Sequence, residues 1–451
     1  MKRLLSIPLL FLGLSAAIAQ AQSSELSLKD CLKYALENNL KLAATRMDEE
    51  SGRYKTEEIR ALALPQINAN ASLTDNVIKQ QMVLPGELVG KPGTVTAIEA
   101  GTTYSANAGV ELNQQLFNQQ VFTGLRAAKK SEEYYKLNTS MTEEEVIQNV
   151  SKLYYLAQVT REKASVVDAN IKRVEQLVKT TTSQYNNGLA KKIDLDRIKV
   201  NLTNLYSQRD ELKNGIIQQE NQLKYAMGMQ LNTPITFPAL DLKSIENQSG
   251  LGLQANMFNV ENRTEFQLLN KQSELLELQK KANVSEYYPT ISAFANYSYN
   301  GLSNEFDLHK SGGTATWFDM SSIGIKVKIP IFDGFARRSK VNQTKVSLKQ
   351  LEKNKELTKL SLNLAYDNAK IQLNNSLSTI NTQKENVSLA EEVYKSTQNN
   401  YNLGLADLTD LLNAETSLTE AQNNYTQALL NYKVAEIELI KSNGNLRTLL
   451  N

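Results

Sequence analysis

A single cysteine, Cys31, excludes any disulfide within the chain. It does not directly follow the N-terminal apolar run, so it is not placed as the acylated cysteine of a lipoprotein; a packed helix face is its expected position. A single histidine, His309, and the absence of a Gly-rich phosphate loop leave little for metal, acyl or phosphoryl chemistry. His309 falls in a Gly- and Ser-containing stretch, where a solvated loop histidine is expected and metal-ligand partners are lacking. Only 8 prolines and 20 glycines in 451 residues exclude a chain of many turns and argue for long uninterrupted elements. No second long apolar stretch follows residue 21, so the mature chain either stays out of the bilayer or crosses it as β-strands.

The apolar run that is present reads as a secretory signal over residues 1–21. Lys2 and Arg3 precede Leu4 to Ile18, and Ala17-Ile18-Ala19 or Ala19-Gln20-Ala21 offers a small-residue cleavage site. Pro8 and the short length argue against a retained anchor. Removing Lys2 and Arg3 from the 50 basic residues leaves 48, against 48 acidic. That balance gives no global electrostatic reason to bind nucleic acid.

The chain is a duplication. At a shift of 216 residues, Tyr185, Gly188, Leu189, Ala190, Asp194 and Leu195 fall on Tyr401, Gly404, Leu405, Ala406, Asp410 and Leu411. Leu202, Leu223 and Gly228 then fall on Leu418, Leu439 and Gly444. Leu116-Phe117-Asn118 matches Ile331-Phe332-Asp333 at a shift of 215, and Pro65 corresponds to Pro289.

Each half carries two stretches of period two, which predict strands with one apolar and one polar face. They are Ile67, Ala69, Ala71 and Leu73; Tyr104, Ala106, Ala108, Val110 and Leu112; Ile291, Ala293, Ala295, Tyr297 and Tyr299, with Phe294 breaking the rule; and Ile323, Ile325, Val327, Ile329 and Ile331. A sheet packed on a helical layer would alternate in the same way. Segment lengths of about 9 to 11 residues suit tilted membrane strands. Tyr297, Tyr299 and Trp317 near the segment ends suit interfacial anchors. Lys326 and Lys328 would then face a wet lumen.

The remaining length carries a sustained 3.5-residue period, the mark of a coiled-coil seam. One seam runs Val150, Leu153, Ala157, Thr160, Ala164, Val167, Ile171, Val174, Val178, Thr181 and Tyr185, and returns through Ile198, Leu202, Leu205, Leu212 and Leu223. The other runs from Leu362, Tyr366, Ala369, Leu373, Ser376 and Ile380 to Tyr401, and returns through Ala414, Leu418, Tyr425, Ala428, Tyr432, Ala435 and Leu439. From Gly124 to Gln184 the outward arm spans roughly 90 Å as a helix, too long to fold onto a compact core. Gly188 and Gly404, with Tyr185 and Tyr401 ahead of them, mark the tip turns. Asp194 and Asp410 open the return helices, either as caps or as pore residues.

Tyr401-Asn402-Leu403-Gly404, Asp410-Leu411-Leu412, and the series from Ala421 to Gly444 resemble the second repeat of TolC-like outer-membrane factors. Tyr185 to Gly228 resembles the first repeat, and Leu26 to Leu40 the N-terminal helix of that family. The resemblance covers essentially the whole mature chain. It implies a homotrimer with a 12-stranded β-barrel in the outer membrane and an α-helical tunnel in the periplasm. It also implies a periplasmic adaptor and an inner-membrane transporter as partners, no cofactor, and a gate at the tips using Asp194, Tyr401 and Asp410. Members of the family carry an arginine where Ala406 stands and a second acidic residue where Asn413 stands, so the resemblance does not carry over the ionic latch or that acidic ring, and a hydrogen-bonded latch between Asp194 and Tyr401 is the expected alternative.

The expected organisation follows. A signal (1–21) and N-terminal helix (22–64) precede a β-hairpin (65–116), a coiled-coil hairpin (117–228) and an irregular equatorial segment (229–260). A helix (261–287), β-hairpin (288–332), coiled-coil hairpin (333–444) and tail (445–451) complete the second repeat. Four strands per chain cannot close a barrel, so several chains must share one. The connections Gln81–Ala100 and Asn304–Trp317 are expected outside the cell. A periplasmic adaptor would instead show one hairpin flanked by compact β-domains, and a trimeric adhesin would place all its strands C-terminally.

Overall fold

The computed structural model describes residues 25–238, 258–309 and 313–450. The signal segment and most of the equatorial segment lie outside the described residues.

Helix α1 (Leu28–Asn38) starts at a capping box, in which the Ser27 hydroxyl accepts from Asp30 N and the Asp30 carboxylate accepts from Ser27 N. The N-terminal helix expected as one piece is two, because Asn39 is extended (φ −65°, ψ 123°) and recaps the chain. Its Oδ1 accepts from Leu42 N at 2.9 Å, starting α2 (Leu40–Ala61), while its Nδ2 donates to Ala226 O at 2.7 Å. Strand β1 (Gln66–Asp75) follows. The first connection is not plain loop but contains a small hairpin, β2 (Gln81–Pro85) with β3 (Val95–Glu99). Next come β4 (Tyr104–Phe117), α3 (Gln119–Asn186) and α4 (Lys192–Met227). The second half supplies α5 (Thr264–Ser285), β5 (Thr290–Ser303), β6 (Thr316–Lys328), α6 (Ala336–Asn402) and α7 (Leu408–Ser442).

At 68 and 67 residues, α3 and α6 are each about 100 Å long. Toward the tips the helices lie side by side in the order α4, α3, α7, α6; toward the sheet, α2 and α5 replace α4 and α7 beside α3 and α6. The two joints are built alike. Gly228 ends α4 at φ 75° against Asn38, and Gly444 follows α7 at φ 75° against Asn262. A β-carbon on Gly228 would stand 2.2 Å from Asn38 O, so only glycine fits this left-handed cap. Asn39 then caps the last carbonyls of α4, as the Arg263 guanidinium caps Lys441 O of α7.

The predicted seam residues are the interior. Val150, Ala157, Thr160, Ala164, Val167, Ile171, Val174 and Thr181 are buried, as are Ala369, Leu373, Ile380, Ala428, Tyr432 and Ala435. An equatorial cluster gathers Cys31, Leu32, Val150, Tyr154, Leu223, Met227 and Ile437, and its apolar surroundings push the Cys31 thiol up to about 12.

Candidate functional site: channel surfaces and helical tips

The sheet is antiparallel in the order β1-β4-β5-β6, leaving β1 and β6 as open edges. Register sets Ile67, Leu112, Ala295 and Ile323 in one row, and Leu73, Ala106, Gly301 and Trp317 in another on the same face. The opposite face carries rows such as Asn68, Glu111, Asn296 and Ser322. Asn107 Nδ2 donates to Asn300 Oδ1 at 2.6 Å on that polar side. β1 and β6 are exposed along almost their whole length, with Ile323 86% and Ile325 68% accessible. Among the described residues no helix makes extensive contact with the sheet, so a sheet covered by a helical layer is not what the alternation encodes. Among the described residues no helix is long and apolar enough to cross a membrane.

β6 starts earlier than expected and stops at Lys328, because Pro330 lacks the N–H that continued pairing requires. Ile329 and Ile331 therefore lie beyond the strand. Phe294, the break in the alternation, lies over Gly324, where a β-carbon would come within 2.8 Å of its ring. On the apolar face Trp317 fills the space above Gly301 and stacks on Tyr299 at 4.9 Å between centroids. Tyr297 stands exposed one row from Tyr299. The aromatic side chains thus gather on the lipid-compatible face near one end of the sheet.

At the far end both arms turn through the same geometry. Gly188 (φ 75°) donates to Tyr185 O and Leu189 N to Gln184 O; Gly404 (φ 73°) donates to Tyr401 O and Leu405 N to Asn400 O. These paired bonds are the Schellman ending of a helix. Asp194 and Asp410 are each the third residue of their return helix, half-buried and exposed respectively. Neither α4 nor α7 has a side-chain cap hydrogen bond, and each acid stands in the first turn, where its charge favours the helix dipole. Among the described residues no hydrogen bond joins Asp194 to Tyr401. The Tyr401 ring packs instead against the cluster of Val174, Ile198 and Leu408.

Besides apolar contacts such as Leu408 against Val174, the two hairpins are joined by a polar series that sequence reasoning missed. Lys152 pairs with Glu438, Lys163 with Gln427 at 2.8 Å, Asn170 with Thr419 at 2.7 Å, and Arg173 with Glu415 at 3.0 Å. Arg197 Nη1 reaches Thr409 Oγ1 at 3.4 Å beside the tips. Burial raises the Glu415 carboxyl above its ordinary range, with Arg173 opposing. His309 is exposed, 5.7 Å from the Phe306 ring, and no group of potential metal ligands occurs among the described residues.

An apolar-faced sheet open at both edges, joined end-on to helical arms of this length, defines a stave of a membrane-anchored duct. The outer membrane efflux protein family model matches residues 31–229 and 260–445, and the chain belongs to that family. Outer membrane protein TolC of Escherichia coli K12 is 21% identical over 99% of this chain and 87% of its own length. The probable efflux pump outer membrane protein TtgC of Pseudomonas putida is 21% identical, covering 93% and 83%. Among solved structures, VceC of Vibrio cholerae superposes with a TM-score of 0.71 at 16% identity, covering 92% of this chain and 96% of VceC. The Campylobacter jejuni CmeC outer membrane channel gives 0.69 at 16%, covering 93% and 85%. This chain is thus an outer membrane efflux protein.

Proposed function

We propose that three copies close around one axis into a 12-stranded barrel and a helical tunnel, and that this trimer conducts substrates outward without catalysis. The supporting observation is that both margins of the chain are unfinished. β1 and β6 leave unpaired backbone groups that hydrocarbon does not tolerate. The marginal helices α4 and α6 expose apolar side chains, Ile193, Val200 and Ile217 on one and Leu357, Leu364, Ile371 and Val393 on the other. Apposing α6 of one copy to α4 of the next toward the tips, and to α2 with its exposed Leu40, Met47 and Tyr54 toward the sheet, removes these stripes from water.

The exposed tip residues Leu189, Leu403 and Leu405 have the character of a docking end, and a periplasmic adaptor coupled to an inner-membrane transporter is the partner proposed for it. Threefold symmetry brings three Asp410 carboxylates together at the entrance, where they attract multivalent cations. Tyr401 and Asp194 sit beside them as the constriction's support.

Light-scattering mass of the purified protein, followed by conductance in planar bilayers, tests this reading. A trimer is expected, with conductance blocked by a trivalent cation and block weakened in Asp410→Ala. A well-folded monomer with full β-content sinks the assembly; undiminished block in Asp410→Ala removes the acidic ring.

A further inference from the structure

The four membrane strands contain only two basic residues, Lys326 and Lys328, and both stand at the same end of the same strand. Register places them on the polar face with Ser322, opposite Ile323, Ile325 and Val327. Lys326 is level with Ser292 and Lys328 with Thr290, at the end where β6 leads into α6. Lysines serving lipid phosphates would be on the apolar face, so these two are not lipid anchors.

Neither ammonium has a partner among the described residues. The nearby acids are already engaged: Asp333 holds Arg337 at 2.7 Å, and Glu286 holds Lys340 at 2.9 Å. Asp319 is on the other face, level with Tyr299. Glu111 is the single acid on the polar face of the strands, level with Ser322 and so farther along the barrel. Apart from Glu111, the lining above the lysines is neutral amide and hydroxyl, including Asn68, Asn296 and Asn300.

We propose that Lys326 and Lys328, repeated from three chains, form a basic collar at the periplasmic end of the barrel lumen that gathers solutes bearing carboxylate, sulfonate or phosphate groups. The collar rests on the trimeric reading above. Low-dielectric walls around a polar bore focus the field of like charges, and added salt weakens it. The collar and the acidic tips then act at opposite ends of the helical tunnel.

The test uses the full-length detergent-solubilised protein carrying Cys31→Ser and Ser292→Cys, which places a thiol level with Lys326. Modification rates are measured with anionic and cationic methanethiosulfonates and normalised to a free thiol. At low salt the anionic reagent should be favoured by about 10-fold. High salt, or Lys326→Gln with Lys328→Gln, should return the ratio toward one. A thiol at Ser105, at the other end of the same face, should show little response to the lysine substitutions. A trimer whose ratio at position 292 ignores both salt and the substitutions overturns the collar alone. A monomeric mass overturns the trimeric reading, and the collar with it.

Discussion

Arg173 on α3 and Glu415 on α7, 242 residues apart in the chain, meet side chain to side chain at 3.0 Å between the two helical hairpins. Glu415 is almost fully buried, and the Arg173 guanidinium also lies 5.6 Å from the Tyr394 ring. Removing the cation leaves a buried acid without its counter-charge. Arg173→Met should therefore cost roughly 3 kcal/mol, more than Glu415→Gln, whose amide can still accept from the guanidinium. Denaturant unfolding followed by circular dichroism checks the order. Equal losses would mean that shape, not charge, holds the contact.

A second ionic site works in the opposite pH direction. Glu133 on α3 lies 2.9 Å from both Lys130 and, on α5, Lys271. Those hydrogen bonds lower its carboxyl from 4.5 to about 2. A carboxylate depressed in the folded state stabilises fully above its unfolded value and loses that contribution as pH falls through the folded one. The melting temperature of Glu133→Gln should thus lie below that of the unsubstituted protein at neutral pH, with the gap closing between pH 4.5 and 2. A gap independent of pH would assign the effect to packing.

In the sheet, Gly301 leaves room for the Trp317 ring, and an added β-carbon would approach it to 2.7 Å. Gly301→Val should destabilise the barrel by about 1–3 kcal/mol through overpacking. Heat-dependent gel mobility of the assembled protein reads the loss. Trp317→Leu added to Gly301→Val should recover part of it; no recovery would show that the strand itself rejects the side chain.

Periodicity made most of the architecture legible. The steps from Val150 through Val174 identified a buried seam because helical burial follows spacing, whatever the partner. Strand alternation likewise separated Ile67 from Asn68 before any register was known. Phe294 looked like an error in that pattern because its explanation, Gly324, lies on another strand. Asn39 left no periodic mark, since a one-residue break preserves apolar composition on both sides. The tip glycines were readable because a left-handed φ restricts residue choice locally. Asn170–Thr419 and Arg173–Glu415 were not, since polar pairs between distant helices obey no local rule.

α3 has the proportions of a lever as well as of a wall. The equatorial cluster around Cys31 and Tyr154 grips it at Val150, 36 residues before its end at Asn186. The length beyond the grip is about 54 Å, so a swing of roughly 5° of α3 together with its packed neighbours would carry the tip by about 5 Å. Side chains at the fulcrum shift far less than those at Gly188. A swing of that size would displace Gly188 far more than the core that keeps the chain folded.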